Sequence, residues 1–451
     1  MTWSPVAADD LAVQAVRVAR NISERLISPE RVVQAAAAAK IQTKFPRPPW
    51  APYTVSDGYA GLALLWGYLD ACFAGESWDV IGREHLALAV QGVETASEVP
   101  LGLLSGLSGL AFSASQLSRE GTRYRRLLST LDDAIVGRTL ALAGDLRRRR
   151  NGLGVEEFDV ISGLSGVTAY LLCRTKEPGV MNALHASIDA LISILDEEDG
   201  MPVWHTPSAL LWHDEQRTAY PYGNLNCGLA HGIPGPLAVL SLALRTGLST
   251  PGLPETITRI LDWLNEHRSD DAWGVNWPTA VTIAKPPTSL GDFDAPLGGV
   301  STVAGAPSRC AWCYGSPGVA RAVWLAGDAL DRDDYRSLAI STMEAVFRRP
   351  VAERYIDSPT FCHGIAGLLA IALRFANDTG ADVFIEGSRA LVEQLLDRYR
   401  PESLLGFRNL EIAGHEIDQP GLLDGAAGVA IVLLAAATSV EPTWNRAFLL
   451  S

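Results

Sequence analysis

Seven times along this chain two glycines stand three residues apart, and each pair opens a run of small and aliphatic residues. The copies read DGYAGL from 57, SGLSGL from 105, SGLSGV from 162, HGIPGP from 231, YGSPGV from 314, HGIAGL from 363 and DGAAGV from 424. They are separated by 48, 57, 69, 83, 49 and 61 residues, a loose period that never breaks. Between them lie segments of helical period. In MNALHASIDALISIL (181–195), Met181, Leu184, Ile188, Leu191 and Leu195 fall three or four apart, and ETITRILDWLNEHR (255–268) repeats this with Ile257, Ile260, Leu261 and Leu264. The unit is therefore an amphipathic helix, a glycine turn and a helix with few charges. Such a pair cannot bury its own apolar face, so neighbouring pairs must do it. Helices apolar all round belong inside and amphipathic ones outside. The expected fold is all-α: an α/α toroid, or double helical barrel, of seven helix pairs forming one domain over 1–451, with the glycine turns gathered around a central mouth.

Two stretches break the period. Residues 269–307 are rich in Gly, Pro and Thr and account for the 83-residue gap, which predicts a minor irregular or β-containing insertion. Residues 200–226 form a second irregular stretch just before His231. With 48% hydrophobic and 20% charged residues in 451, the remainder has globular composition. The net charge of −14 opposes a nucleic-acid partner, which needs a basic face. No basic segment followed by an apolar stretch opens the chain, as a secretory signal would. The uncharged, mostly aliphatic run 425–440 is shorter than the roughly 20 residues of a membrane span. The expected location is cytoplasmic, where the six cysteines stay reduced.

The residue before each glycine pair is Asp57, Ser105, Ser162, His231, Tyr314, His363 or Asp424, several of them types that do chemistry. In PSRCAWCYGSPG (307–318) and TFCHGIAGLL (360–369), Cys313 and Cys362 each stand two residues before a pair, so the repeat places them equivalently. His363 adds an imidazole. Two thiolates and an imidazole suit Zn²⁺, and three protein ligands with an open fourth position is the catalytic pattern. Adjacent ligands serve one ion on a turn, whereas in a regular helix they diverge by about 100°. A Cys-His dipeptide is also often a buried thiol beside a capping imidazole, and Cys310 with Cys313 forms a C-x-x-C pair that could bind metal or bridge. Register disfavours Cys310, and Cys72, Cys173 and Cys227 read as core or near-core thiols. His231 occupies the position equivalent to His363 and reads as an acid or base, or as a helix cap. Asp159, in FDVISGLSG, and Arg309, four residues before Cys313, lie close to rim turns, although either alone also reads as a surface charge.

WCYG, CHG, AHGIPG and DVISGLSG, set in seven glycine turns, make the whole chain resemble the lanthipeptide cyclases, the LanC family, in the stand-alone form that works beside a separate dehydratase. The resemblance implies one catalytic zinc per chain on Cys313, Cys362 and His363. It implies His231 as the acid/base histidine, with Asp159 and Arg309 in support. The implied reaction is Michael addition of a peptide cysteine to dehydroalanine or dehydrobutyrine, giving lanthionine or methyllanthionine rings. The implied partners are a dehydrated precursor peptide (leader plus core), a dehydratase and an exporter, with attachment to the membrane only through that complex. Three alternatives stand beside it. A zinc-dependent prenyltransferase-type enzyme would need more basic residues than Arg309 and six pairs rather than seven. An α/α-barrel glycosidase would need two carboxylates from among Asp57, Asp159 and Asp424, leaving the thiols idle. A non-catalytic peptide-binding scaffold would hold zinc structurally.

Overall fold

A computed structural model describes residues 3–44, 50–198, 200–283, 308–411 and 414–451. Each glycine pair opens a helix: α3 (Tyr59–Cys72), α5 (Leu107–Gln116), α8 (Leu164–Leu172), α11 (Pro234–Arg245), α13 (Ser316–Ala329), α15 (Ile365–Thr379) and α17 (Ala426–Ala437). Alternating with them are α1 (Asp9–Leu26), α2 (Pro29–Gln42), α4 (Trp78–Thr95), α6 (Arg125–Leu146), α9 (Val180–Ser193), α12 (Leu253–Glu266), α14 (Asp333–Arg348) and α16 (Asp382–Asp397). Two short helices, α7 (Val155–Phe158) and α10 (Asp214–Ala219), sit in the connections.

The two sets differ as their compositions require. All nine residues of α8 are buried, as is α17 from Ala426 to Ala436. In α12 only the stripe Leu253, Thr256, Ile257, Ile260, Leu261 and Leu264 is buried, and its charged residues face away. Each fully buried aliphatic side chain contributes at most about 1.5–3 kcal/mol, so an uncharged helix is stable only inside. The amphipathic helices carry their own end signals. Ser28 caps α2, accepting from Arg31 N at 3.3 Å with Pro29 at the first position.

The helices divide into two compact units. One comprises 1–132, 309–312 and 346–451, the other 133–308 and 313–345. In the first, α15, α17, α3 and α5 pack side by side in that order, backed by α16 on α15, α1 on α17 and α4 on α3. The first long helix of the chain thus backs the last. In the second, α8, α11 and α13 are neighbours, with α9 and α12 behind them.

Three antiparallel two-stranded ribbons complete the described structure: β1 (Glu197–Glu198) with β2 (Met201–Pro202), β3 (Asn224–Asn226) with β4 (Ala280–Thr282), and β5 (Arg408–Glu411) with β6 (His415–Asp418). β4 is the described part of the strand content expected in 269–307, and it ties that stretch to β3, just before His231. Residues 284–307 of the expected insertion lie outside the described residues.

The glycine turns follow one plan. A Cβ on Gly364 would overlap the carbonyl oxygen of Ser358, and one on Gly367 would overlap that of Phe361, so both positions are closed to any side chain. This close approach lets the turn before the helix lie against the helix start. Successive turns are then laced through the backbone. In the first unit Phe361 and Cys362 donate to Leu423 O at 3.2 and 2.9 Å, Leu422 and Leu423 to Ser56 O at 2.9 and 3.1 Å, and Val55 and Ser56 to Leu104 O at 3.1 and 3.0 Å. In the second, Val160 donates to Ala230 O and Ala230 to Cys313 O, at 3.1 and 3.2 Å. Every acceptor stands two residues before its first glycine. Cys313 and Cys362 therefore hold matching backbone positions, each within its own unit, as the repeat predicts.

Candidate active site and metal centre

In the second unit, α7 ends at Phe158 and delivers Asp159 into the third glycine turn. The Asp159 side chain is 1% exposed, and its Oδ1 accepts from the Ser162 and Gly163 amides at 2.7 Å each. Two amide donors hold that carboxylate rigidly. Its other oxygen, Oδ2, lies 2.6 Å from Nδ1 of His231, which stands before the fourth pair and is 19% exposed. A carboxylate at that distance accepts a hydrogen bond from Nδ1–H. Nε2 then carries the lone pair and is the nitrogen that can exchange a proton with a substrate. Sequence reasoning selected both residues, and the structure joins them across 72 positions.

Two aromatic rings flank His231. Tyr314, before the fifth pair, lies 6.3 Å away between ring centroids, and its hydroxyl accepts from Asn226 Nδ2 at 3.1 Å. Trp212 stands edge-to-face at 5.0 Å and 89°. Sequence reading placed Tyr314 on the rim without a role and missed Trp212, which sits in the irregular stretch 200–226.

In the first unit, Cys362 and His363 occupy the turn before α15, and Asp424 the next turn, before α17. One donor atom from each lies within 4.8 Å of the other two, the one such group of three among the described residues. His363 Nδ1 and Asp424 Oδ1 are 3.5 Å apart. Ligands around a tetrahedral zinc lie about 3.3–3.8 Å apart, given metal–ligand distances of about 2.0–2.3 Å. A thiol, an imidazole and a carboxylate drawn this close, with Cys362 held by its amide to Leu423, fit a zinc site in chemistry and spacing. Asp424 was noted in the sequence as a rim residue and as a carboxylate of the glycosidase alternative, not as a neighbour of the metal ligands, although its place in the repeat, next after His363, is the signal that marks it.

Cys313 is buried in the second unit, where its carbonyl completes the turn-to-turn bond from Ala230. Arg309 is half-buried in the first. All six cysteines are free thiols, so Cys310 and Cys313 are not bridged. Cys310 is buried, its amide donating to Arg354 O at 2.8 Å. Burial pushes the Cys227 thiol up to about 12 and raises that of Cys72, which suits inert core thiols. Cys173 departs from that expectation. It caps the end of α8, where the buried helix meets solvent, and is exposed.

The comparisons with known proteins agree with one another. Residues 49–449 match the family model described as lanthionine synthetase C-like protein. The chain is 26% identical over 406 residues to nisin biosynthesis protein NisC of Lactococcus lactis subsp. lactis, covering 88% of each. The chain belongs to the lanthionine synthetase C-like family. Among solved structures, nisin cyclase superposes with a TM-score of 0.75 at 24% identity, over 93% of this chain and 97% of that one. The fold class is accordingly the all-helical α/α toroid with minor strands. This LanC-family member is an enzyme of the lanthipeptide cyclase type. The family match begins after α1 and α2, yet α1 supplies the helix that backs α17. No helix among the described residues is long and apolar enough to cross a membrane.

Proposed function

We propose that this cyclase closes lanthionine and methyllanthionine rings in a dehydrated precursor peptide by Michael addition, with one zinc per chain held by Cys313, Cys362 and His363. Three protein donors leave a position for a substrate sulfur. Asp424, facing His363, is the carboxylate partner that fixes the imidazole's orientation, as the outer partners of metal-binding histidines do. A zinc ion bound there supplies the Lewis acidity that turns a peptide thiol, with an ordinary pKa of about 8.5, into a thiolate at neutral pH.

The chain's own residues handle the proton. The new carbon–sulfur bond forms at the β-carbon of dehydroalanine or dehydrobutyrine, the double bond becomes single, and the α-carbon must gain a proton. The thiol loses one, so the reaction is a net addition with nothing left over. His231 moves that proton through Nε2, and Asp159 holds Nδ1 so that the same nitrogen always faces the substrate. Arg309 serves as a supporting cation. The enzyme works in the cytoplasm beside a separate dehydratase and an exporter.

The observation that most supports this reading is the adjacent thiol and imidazole of Cys362 and His363, drawn together on a turn rather than diverging along a helix, with Asp424 beside the imidazole. The test is to count zinc in the wild type, Cys313→Ala and His363→Ala, and to follow free thiols by mass after incubation with a dehydrated, cysteine-containing peptide. One zinc per chain, lost in both variants together with ring closure while the helical circular dichroism remains, is the expected result. Variants that keep their zinc would show that other residues bind it. Variants that lose zinc and unfold would make the metal structural and favour the scaffold reading.

A further inference from the structure

The irregular stretch before His231 is a closed loop. Its base is pinned where Thr206 and Asn224 exchange both backbone hydrogen bonds, at 2.9 and 3.0 Å, and its body carries a short 3-10 turn (Ser208–Leu210) and α10. Loops of this shape, tied at the ends and exposed between, commonly carry function. Of the four large apolar side chains exposed in the second unit among the described residues, three lie here: Leu210 (42%), Trp212 (46%) and Tyr222 (42%). An exposed tryptophan is costly to leave in water, and this one does not float. Its indole Nε1 donates to Glu156 Oε2 at 3.3 Å, and its ring meets His231. Glu156 belongs to α7, the same short helix that delivers Asp159 to His231. One helix therefore sets both the proton-handling pair and the aromatic wall beside it. Because the indole N–H is already committed to Glu156, what Trp212 offers a ligand is apolar π surface.

We infer that Trp212 selects the dehydrated form of the peptide, receiving the planar dehydroalanine or dehydrobutyrine residue against its ring next to His231. This rests on the ring-forming reading above. A dehydro residue is a flat, conjugated unsaturated amide that packs on an indole, whereas the serine or threonine it derives from is tetrahedral and hydroxylated and gains less there. Planar π contacts of this kind are worth about 2- to 10-fold in binding.

The test uses full-length wild type, Trp212→Ala, Trp212→Phe and Glu156→Ala. Calorimetric titration compares a dehydrated peptide, its cysteines alkylated to prevent turnover, with the same peptide carrying serine and threonine. The wild type is expected to prefer the dehydrated form by about 2- to 10-fold, Trp212→Ala to bind both alike, Trp212→Phe to keep part of the preference, and Glu156→Ala to fall between. With the unblocked peptide, Trp212→Ala should raise KM with kcat changed less. A wild type without preference, or a Trp212→Ala that keeps it in full, overturns the proposal. A Trp212→Ala with an unchanged preference but a shifted pH–rate profile would overturn it too, making the ring a shield for His231. If the wild type prefers the dehydrated peptide yet closes no rings, the ring-forming reading fails while the selection by Trp212 stands.

Discussion

His231 and His363 hold the same place in the repeat, one residue before a glycine pair, and their surroundings differ in two respects that suit them to different work. His231 is tied at 2.6 Å to a carboxylate from the preceding turn, itself buried and anchored by two amides. His363 faces, at 3.5 Å, a carboxylate from the following turn and has a thiol as its chain neighbour. The first arrangement fixes one ring nitrogen and leaves the other for a proton. The second gathers three donors of mixed softness around a point. On the reading proposed above, one backbone device serves as a proton site or a metal site according to which direction the carboxylate comes from and whether a cysteine precedes the histidine.

The sharpest break of this comparison comes from the proton side. His231→Ala should keep its full zinc content and lose ring-closure rate by about 10²–10⁴-fold. Asp159→Asn should lose at least about 10²-fold, because an amide at that position no longer demands the Nδ1–H tautomer. Single-turnover rates with metal analysis on the same samples check both, and zinc loss in His231→Ala would erase the distinction between the two histidines. On the metal side, Asp424→Asn should weaken zinc binding by about 10–100-fold, measured by competition with a chromophoric chelator. Unchanged affinity would mean that the 3.5 Å approach has no bearing on the metal. The smallest effect concerns a third histidine. His85 is buried on α4, its Nδ1–H donates to Ile81 O at 3.0 Å, and burial depresses its pKa. Below its ordinary value of about 6.5 the unfolded chain takes up a proton that the folded chain refuses, so stability is full above that pH and falls as pH drops toward the depressed folded value. Urea unfolding at pH 7 and pH 5.5 should show this decline, flattened in His85→Gln.

The repeat made much of this visible beforehand. Each of the seven glycine pairs opens a helix, as the spacing predicts, because a Cβ at positions such as Gly364 and Gly367 is sterically impossible and no other residue could stand there. His231, Cys362 and His363 were legible as turn residues because the repeat gives each a register, and Asp159 only as a charge close to a rim turn and through the family resemblance. Trp212 was not, since an irregular loop has no period from which a side chain's direction can be read. Cys173 was misjudged because helical period does not reveal where a buried helix emerges.

The chain's local pattern thus determined which helices are buried, where each begins and which residues stand at the turns, since burial and backbone sterics act over a few residues. Only the tertiary structure decided that Asp159 reaches His231 across 72 positions, that Asp424 joins Cys362 and His363, and that Trp212 rather than Leu210 or Tyr222 meets the imidazole. Those pairings depend on how successive turns are laced and how a pinned loop folds back. They are settled by contacts between distant segments, on which local propensity is silent.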